Sequence, residues 1–366
     1  NYISNHSLEL TTVQKEIISY NNGLGEMSNL IIKTAQLHNI KTEELSRWIQ
    51  TNPSSDNWGD FKRTSMSKTL LKKSLKKGLD LRESTIAKKL NFDNSGNIKS
   101  VSVKSNQYGS YEIKSKYVFL CGGATSSAAL LSKSGYKRHD SCRLEIHQMS
   151  RLLCKFKKNV NQLRAGIPAV QIAEFKPEIT IGASYSSIPL MSLVCGQSYI
   201  EKLEKDYKSH HMLYSLIPSE TRGKVINLPF IGETIFYSCS ETDSIRMKDA
   251  YINMIKIAYL CGVENIHVSD SNKGGVQFEN EYEAINFVRS KKFCPDISSI
   301  HAFASCPIGK DKYSGTVNSY GKAFNSDNLY LADSSVLPSS TCLNPQGTVM
   351  AIAKMISRNF KKNCAR

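Results

Sequence analysis

Two side chains late in the sequence are equipped to act on an oxygen atom. His301 carries an imidazole, a base that titrates near neutral pH, and leads within a few residues into a Cys306-Pro307-Ile308-Gly309 turn. Asn344, directly before Pro345, offers an amide N–H donor and a carbonyl acceptor at one position. Together they suit removal of a proton from a hydroxyl whose oxygen the amide holds. Oxidising an alcohol also requires a hydride acceptor, which no amino-acid side chain supplies, so this chemistry implies a redox cofactor. Taken singly, His301 is better explained as a residue that caps a loop and Asn344 as a helix start.

The elements that must position them have recognisable patterns. NLYLAD, residues 328–333, reads as an apolar strand ending on Asp333, the end at which open α/β sheets present groups to ligands. After Asn344-Pro345 the run Gln346–Ile356 has helical spacing with proline in its first turn. Upstream, YVFLC (117–121) predicts a buried strand, Gly122-Gly123-Ala124 a tight turn, and the following residues a helix from Ser126 to Gly135. Glycine has no Cβ, so such a turn lets a ligand approach the backbone. Elsewhere, Leu30, Ile31, Ala35, Leu37 and Ile40 predict one helix, and Met66, Leu70, Leu71 and Leu75 a second over Lys62–Gly78. LDL and STIAKKLNF read as strands, with Asp93–Gly96 as a hairpin turn. Beyond Asp140, AVQIAEF, ITIGAS and HMLYSLIP alternate with turns, and a helix over Thr242–Leu260 is closed by Gly262, which predicts an antiparallel sheet with a covering helix.

The C-terminal stretches resemble those of the glucose-methanol-choline oxidoreductases, flavoenzymes that oxidise alcohols. The family motif His-x-x-Gly-x-Cys-x-x-Gly is matched by His301, Cys306 and Gly309, with Ala304 where the family usually has glycine. Asn-Leu-Tyr-Val-x-Asp-x-Ser-x-x-Pro is matched by Asn328, Leu329, Tyr330, Asp333, Ser335 and Pro338; Asn-Pro-x-x-Thr-x-x-Ala-x-Ala by Asn344, Pro345, Thr348, Ala351 and Ala353. The resemblance implies His301 as base, Asn344 as its orienting partner and N5 of an FAD as hydride acceptor, with a small-molecule alcohol as substrate. It implies cofactor contacts from Gly122, Gly123, Ala124, Asp333, Ser334, Asn344, Pro345 and Gln346, and from Ala87 on a strand facing the adenine. It also implies an α/β fold, α+β overall, in which a partial FAD-binding Rossmann-like domain is interleaved with a substrate domain on an antiparallel sheet. On that basis residues 1–60 are an incomplete helical and loop segment, 61–139 a flavin-domain segment, 140–299 the substrate domain, and 300–366 the flavin-domain segment that carries the active site.

One family element is not found. The strand, G-x-G-x-x-G turn and helix that hold the flavin pyrophosphate have no counterpart before residue 60. The nearest stretch, Asn21 to Gly25, follows no convincing strand and lacks the third glycine. The expectation is a piece of a longer protein or a chain completed by a second polypeptide; the alternative is a truncated, non-catalytic homologue.

Composition narrows the class further. Hydrophobic residues make up 40% and charged residues 22% of the 366, as in an ordinary globular protein large enough for two domains. No apolar run is long enough to span a membrane and no signal pattern opens the chain. The ten cysteines include no C-x-x-C pair, which points to buried thiols in a cytoplasmic protein rather than zinc or disulfides. The net charge of +16 comes from dispersed lysines such as Lys68, Lys72, Lys73, Lys76 and Lys77. Without interleaved aromatics these read as a solvated helix face, not a nucleic-acid surface. His210, His211 and His267 lie in strand-like stretches and read as structural, with no carboxylate at metal-ligand spacing.

Overall fold

Residues 25–45, 47–50, 52–57, 60–138, 142–228, 230–341 and 343–364 are described by a computed structural model; of the turn at Asn21 to Gly25, only Gly25 lies within them. α1 (Gly25–Leu37) turns Met27 and Ile31 into the main core, and β1 (Thr42–Glu44) joins the main sheet. β2 (Ile49–Gln50) pairs with β3 (Lys62–Arg63). The helix predicted over Lys62–Gly78 is reduced to a π-helical turn, Ser67–Leu71, running into α2 (Lys72–Leu75), and none of these residues is buried. Lys62 is taken by β3, and lysines at 68, 72 and 76 repeat at i, i+4, a spacing at which like charges repel.

β4 (Thr85–Phe92), β5 (Ile98–Ser105) and β6 (Gly109–Ile113) form an antiparallel meander, while LDL stays outside it. Its first turn is the predicted one, with Asp93 accepting from the N–H groups of Ser95 and Asn97. β7 (Val118–Leu120) leads into α3 (Gly123–Lys133), which begins on the glycines rather than at Ser126. There the Ser127 hydroxyl and the Asp333 carboxylate accept the N–H groups of Gly122 and Gly123.

The chain continues through β8 (Glu145–Gln148), β9 (Arg151–Phe156), β10 (Val170–Ile172), β11 (Thr180–Ser184), α4 (Ile188–Cys195), α5 (Ile200–Lys205) and β12 (His210–Pro218). A hairpin of β13 (Lys224–Leu228) and β14 (Gly232–Phe236) follows, then α6 (Glu241–Leu260), β15 (Val263–Asp270), β16 (Gly274–Phe278) and α7 (Glu281–Arg289). β17 (Ala302–Phe303), β18 (Leu329–Leu331) and α8 (Gln346–Cys364) close it.

Among the described residues the main sheet runs β1-β10-β11-β12-β9-β15-β16, with β8 paired to the far end of β12 and β17 to β8. α6 covers one face. The Ser240 hydroxyl caps it by accepting from Asp243 N–H, and Met247, Tyr251, Met254 and Ala258 recur at helical spacing. They pack on Leu152, Cys154, Leu213, Ile266 and Val268, which share the pleat face toward the helix. α4 covers part of the other face, with Met191 and Val194 against Leu153 and Met212. Beyond it Arg151, Tyr214 and Gly182 stand side by side across three strands.

A second core joins α3, β7, β18 and α8 through Leu120, Ala128, Leu131, Leu329, Leu331 and Ile356. β7 and β18 are parallel, and Phe360 of α8 meets Tyr117, Phe119 and Tyr330 edge-on at centroid distances of 4.9 to 5.2 Å. The fold is therefore mixed α/β, with a parallel pair between helices and an antiparallel sheet beside it. The described part of residues 1–60 is integral with the sheet layer, since α1 and β1 both join it.

Candidate active site

Strand β8 is the bench on which the site is assembled. Its backbone pairs with β17, Ala302 opposite Ile146, and His147 N–H donates to the His301 carbonyl at 3.2 Å. Its side chains reach the loop before Asn344. The Glu145 carboxylate accepts from Ser340 N–H at 2.8 Å and pairs with Arg222 at 3.0 Å, and His147 Nε2 meets the Thr341 carbonyl. Glu145 and His147 are two apart on a strand and so share a face, which is why one strand can grip the loop twice. A third strap fixes the turn after His301: Arg138 donates to the Ser305 carbonyl, and the Ser305 hydroxyl to the Ala124 carbonyl at the start of α3.

The hydrogen bonds assign the tautomers of the two histidines. His147 is buried and held down to about 4, chiefly by desolvation, so it is neutral near pH 7. The Thr341 carbonyl can only accept, so the His147 proton resides on Nε2 and its Nδ1 keeps a lone pair. That Nδ1 lies 3.0 Å from His301 Nδ1, which must therefore donate. His301 is left with an unprotonated Nε2 that has no hydrogen-bond partner among the described residues. Burial also lowers the His301 pKa from its ordinary value, keeping the ring neutral.

Asn344 and Ile300, the neighbour of His301, line one cavity of about 360 Å³. The Asn344 side chain is exposed and makes no hydrogen bond among the described residues, so its donor and acceptor are both available. α8 starts immediately beyond, with Val349 N–H bonded to the Pro345 carbonyl at 2.8 Å. The same cavity is lined from the main sheet by Arg151, Met212 and Tyr214, and by Met149 just beyond β8.

A cradle of the kind a cofactor needs stands at the carboxyl ends of β7 and β18. Gly123 has φ of 87°, and a Cβ there would meet nothing within 4 Å, so its backbone opens onto free space. Asp333 Oδ2 accepts from Gly123 N–H at 2.9 Å and Ser127 Oγ at 2.6 Å, while Oδ1 accepts from Ser335 N–H at 2.8 Å. The structure thus directs Asp333 mainly at the chain, where it holds the glycine turn open, with Ser334 beside it. Ala124 is buried, whereas Gln346 is exposed at the start of α8 and Pro345 is packed beneath it. Ala87 is exposed on β4, an edge strand beside α3 with a register irregularity between Ala87 and Lys89. The open backbone at Gly123 leaves room for a group to lie against this turn.

His147 and Glu145 were not anticipated from the sequence, although polar residues alternating in LEIHQM were a legible sign of a strand with one polar face. His210, His211 and His267 are remote from this arrangement and structural. His210 bonds Tyr199 and the Asp206 carbonyl, His211 bonds Asn161, and His267 packs on the Tyr199 ring at 4.1 Å.

Residues 57–149 and 235–353 match two family models, both described as GMC oxidoreductase. The chain is 27% identical over 311 residues to an uncharacterised GMC-type oxidoreductase of Sinorhizobium fredii, a match covering 83% of this chain and 61% of that protein. It is 28% identical over 141 residues to a long-chain-alcohol oxidase of Arabidopsis thaliana, covering 35% of this chain and 19% of the relative. Both matches span less than two thirds of the relative's length. In fold it resembles the crystal structure of pyridoxine 4-oxidase from Mesorbium loti, with a TM-score of 0.66 at 17% identity over 94% of this chain and 71% of that one. No helix among the described residues is long and apolar enough to cross a membrane.

Proposed function

The chain belongs to the GMC oxidoreductase family, and from that premise we propose that it oxidises a small-molecule alcohol to an aldehyde or ketone with FAD as cofactor. The observation that carries this reading is the chain from the Thr341 carbonyl through His147 to His301, which leaves His301 Nε2 without a partner among the described residues, next in sequence to Ile300 of the cavity that Asn344 lines. Gly122, Gly123, Ala124, Asp333 and Ser334, with Asn344, Pro345 and Gln346 at the start of α8 and Ala87 on β4, are the residues that would hold the cofactor. Bound there, FAD supplies the hydride acceptor that the side chains lack.

The chain's own residues do the rest. His301 Nε2 takes the hydroxyl proton, and the Nδ1–H···His147 bond keeps the ring in the competent tautomer throughout. The Asn344 amide donates to the substrate oxygen, stabilising the negative charge that grows there as the proton leaves. Near pH 7 the base is already neutral, because burial disfavours its charged form.

The test is anaerobic flavin reduction by an alcohol, measured in the flavin-loaded protein. His301→Ala should slow it by a factor of about 10² to 10⁴, the usual worth of a general base. Asn344→Ala should cost about 10 to 10³, and the double variant less than the product of the two, since both act on one oxygen. In the parent protein kcat/KM should rise with pH through a value below the ordinary histidine 6.5. Near-parental reduction by His301→Ala, with an unchanged pH profile, would overturn the assignment.

A further inference from the structure

The cavity in front of Asn344 has a charge that the alcohol reading does not use. Its walls are mostly apolar, with Ile49, Met149, Ile167, Leu190, Met212 and Ile300 among them, yet two guanidinium groups also line it and no aspartate or glutamate does. Arg47 is anchored, its Nε and Nη2 both donating to the Pro168 carbonyl at 3.0 and 2.8 Å. The Arg151 side chain makes no hydrogen bond or ion pair among the described residues, although it is half-buried. Beside it on the next strand stands Tyr214, whose ring lies over Gly182 so closely that a Cβ there would fall 2.6 Å from the phenol oxygen. That hydroxyl, too, has no partner among the described residues.

A guanidinium drawn out of water without a partner costs free energy, and its fork of donors matches a carboxylate or another oxyanion. Arg151 and Tyr214 line the cavity from neighbouring strands of the main sheet, and Asn344 and Ile300, the residue before His301, line the same cavity. We propose that the substrate is an alcohol bearing an anionic headgroup on a short apolar body, with Arg151 and Tyr214 binding the anion and the hydroxyl reaching His301 and Asn344. Arg47 adds a second positive charge to the same chamber, and Gly182 makes room for the tyrosine. This rests on the alcohol-oxidation reading, of which it specifies the substrate class. A cavity of about 360 Å³ is at the small end of ligand pockets and suits a compact hydroxy acid.

The experiment compares ω-hydroxyhexanoate with its uncharged amide in the flavin-loaded protein, with the monophosphate of hexanediol as a second anion. Hexanoate, which has no hydroxyl, is titrated calorimetrically as a binding probe. The acid should exceed the amide in kcat/KM by about tenfold or more, the worth of a charge-assisted pair. Arg151→Met, which keeps the apolar stem, should erase that ratio and weaken hexanoate binding, and Arg151→Lys should restore part of both. The relative rates of carboxylate and phosphate show which oxyanion the wall accepts. Equal use of acid and amide, or a preference that survives Arg151→Met, overturns the anion site while leaving alcohol oxidation standing. If no alcohol reduces the flavin but hexanoate binds in an Arg151-dependent way, the anion site stands and the oxidation reading falls.

Discussion

At the scale of single residues, the most telling position is Ala304. The family motif usually carries glycine there, and the structure shows why: its φ is 60°, in the left-handed region that a Cβ disfavours. Nothing can relax it cheaply. Ala304 is 3% exposed, the carbonyl of the next residue is held by Arg138, and Cys306 N–H is bonded to the Ser335 carbonyl at 3.0 Å. Left-handed alanine costs about 1 to 2 kcal/mol, and glycine's extra freedom in the unfolded chain offsets about 0.4 to 1 of that. Ala304→Gly should therefore stabilise the protein by about 0.5 to 1 kcal/mol, a rise of about 1 to 3 °C in Tm by calorimetry. A fall in Tm would mean that the methyl's packing outweighs the strain.

At the scale of elements, the site depends on how short strands are tied rather than on their length. β18 has three residues and β17 two, too few to hold a register alone. β17 is held by β8, and β18 by the motif asparagine before it. Asn328 Oδ1 accepts from Ile98 N–H at 2.8 Å and its amide donates to the Ile98 carbonyl at 2.9 Å, so one side chain substitutes for a rung of sheet between β18 and β5. Asn328→Ala leaves both backbone groups of the buried Ile98 unpaired and should cost about 2 to 3 kcal/mol in urea unfolding. Hydrogen exchange at Ile98 N–H should quicken with it. Unchanged stability would show that neighbouring groups or water take over the pairing.

At the scale of the whole molecule, burial of histidines makes the fold sensitive to acid. Desolvation holds His147 and His267 down to about 4 and His211 to about 3, and lowers His210 and His301 as well. For each, the folded value lies below the unfolded one, so the unfolded chain binds protons that the folded chain refuses. Stability is therefore complete above about 6.5 and is lost as pH falls toward 4. Tm should fall by on the order of 10 °C between about pH 7 and pH 5, and His211→Asn should flatten that slope. A Tm independent of pH over this range would show that these rings are not buried neutral.

Much of this was legible in the chain because it is local. The motif residues, the glycine turn after β7, the α6 helix with its cap and the hairpin at Asp93–Gly96 each depend on spacing within a few residues, which periodicity and turn chemistry expose. The identity of the base and its amide partner could likewise be proposed from residue type and motif. What the sequence alone did not disclose is long-range. His147 meets His301 across 154 positions, and Asp333 reaches Gly123 across 210. The Lys62–Gly78 stripe matches a helix in pattern but is not buried among the described residues, because the pattern states which side chains could share a face and not what surface awaits them. Arg151 and Tyr214 become neighbours only through the β9–β12 register, and they line one cavity with Asn344, which is distant from both in the chain. Which groups meet across a cavity is set by packing between distant elements, and it is there that the tautomer of His301 and the charge of the pocket were decided.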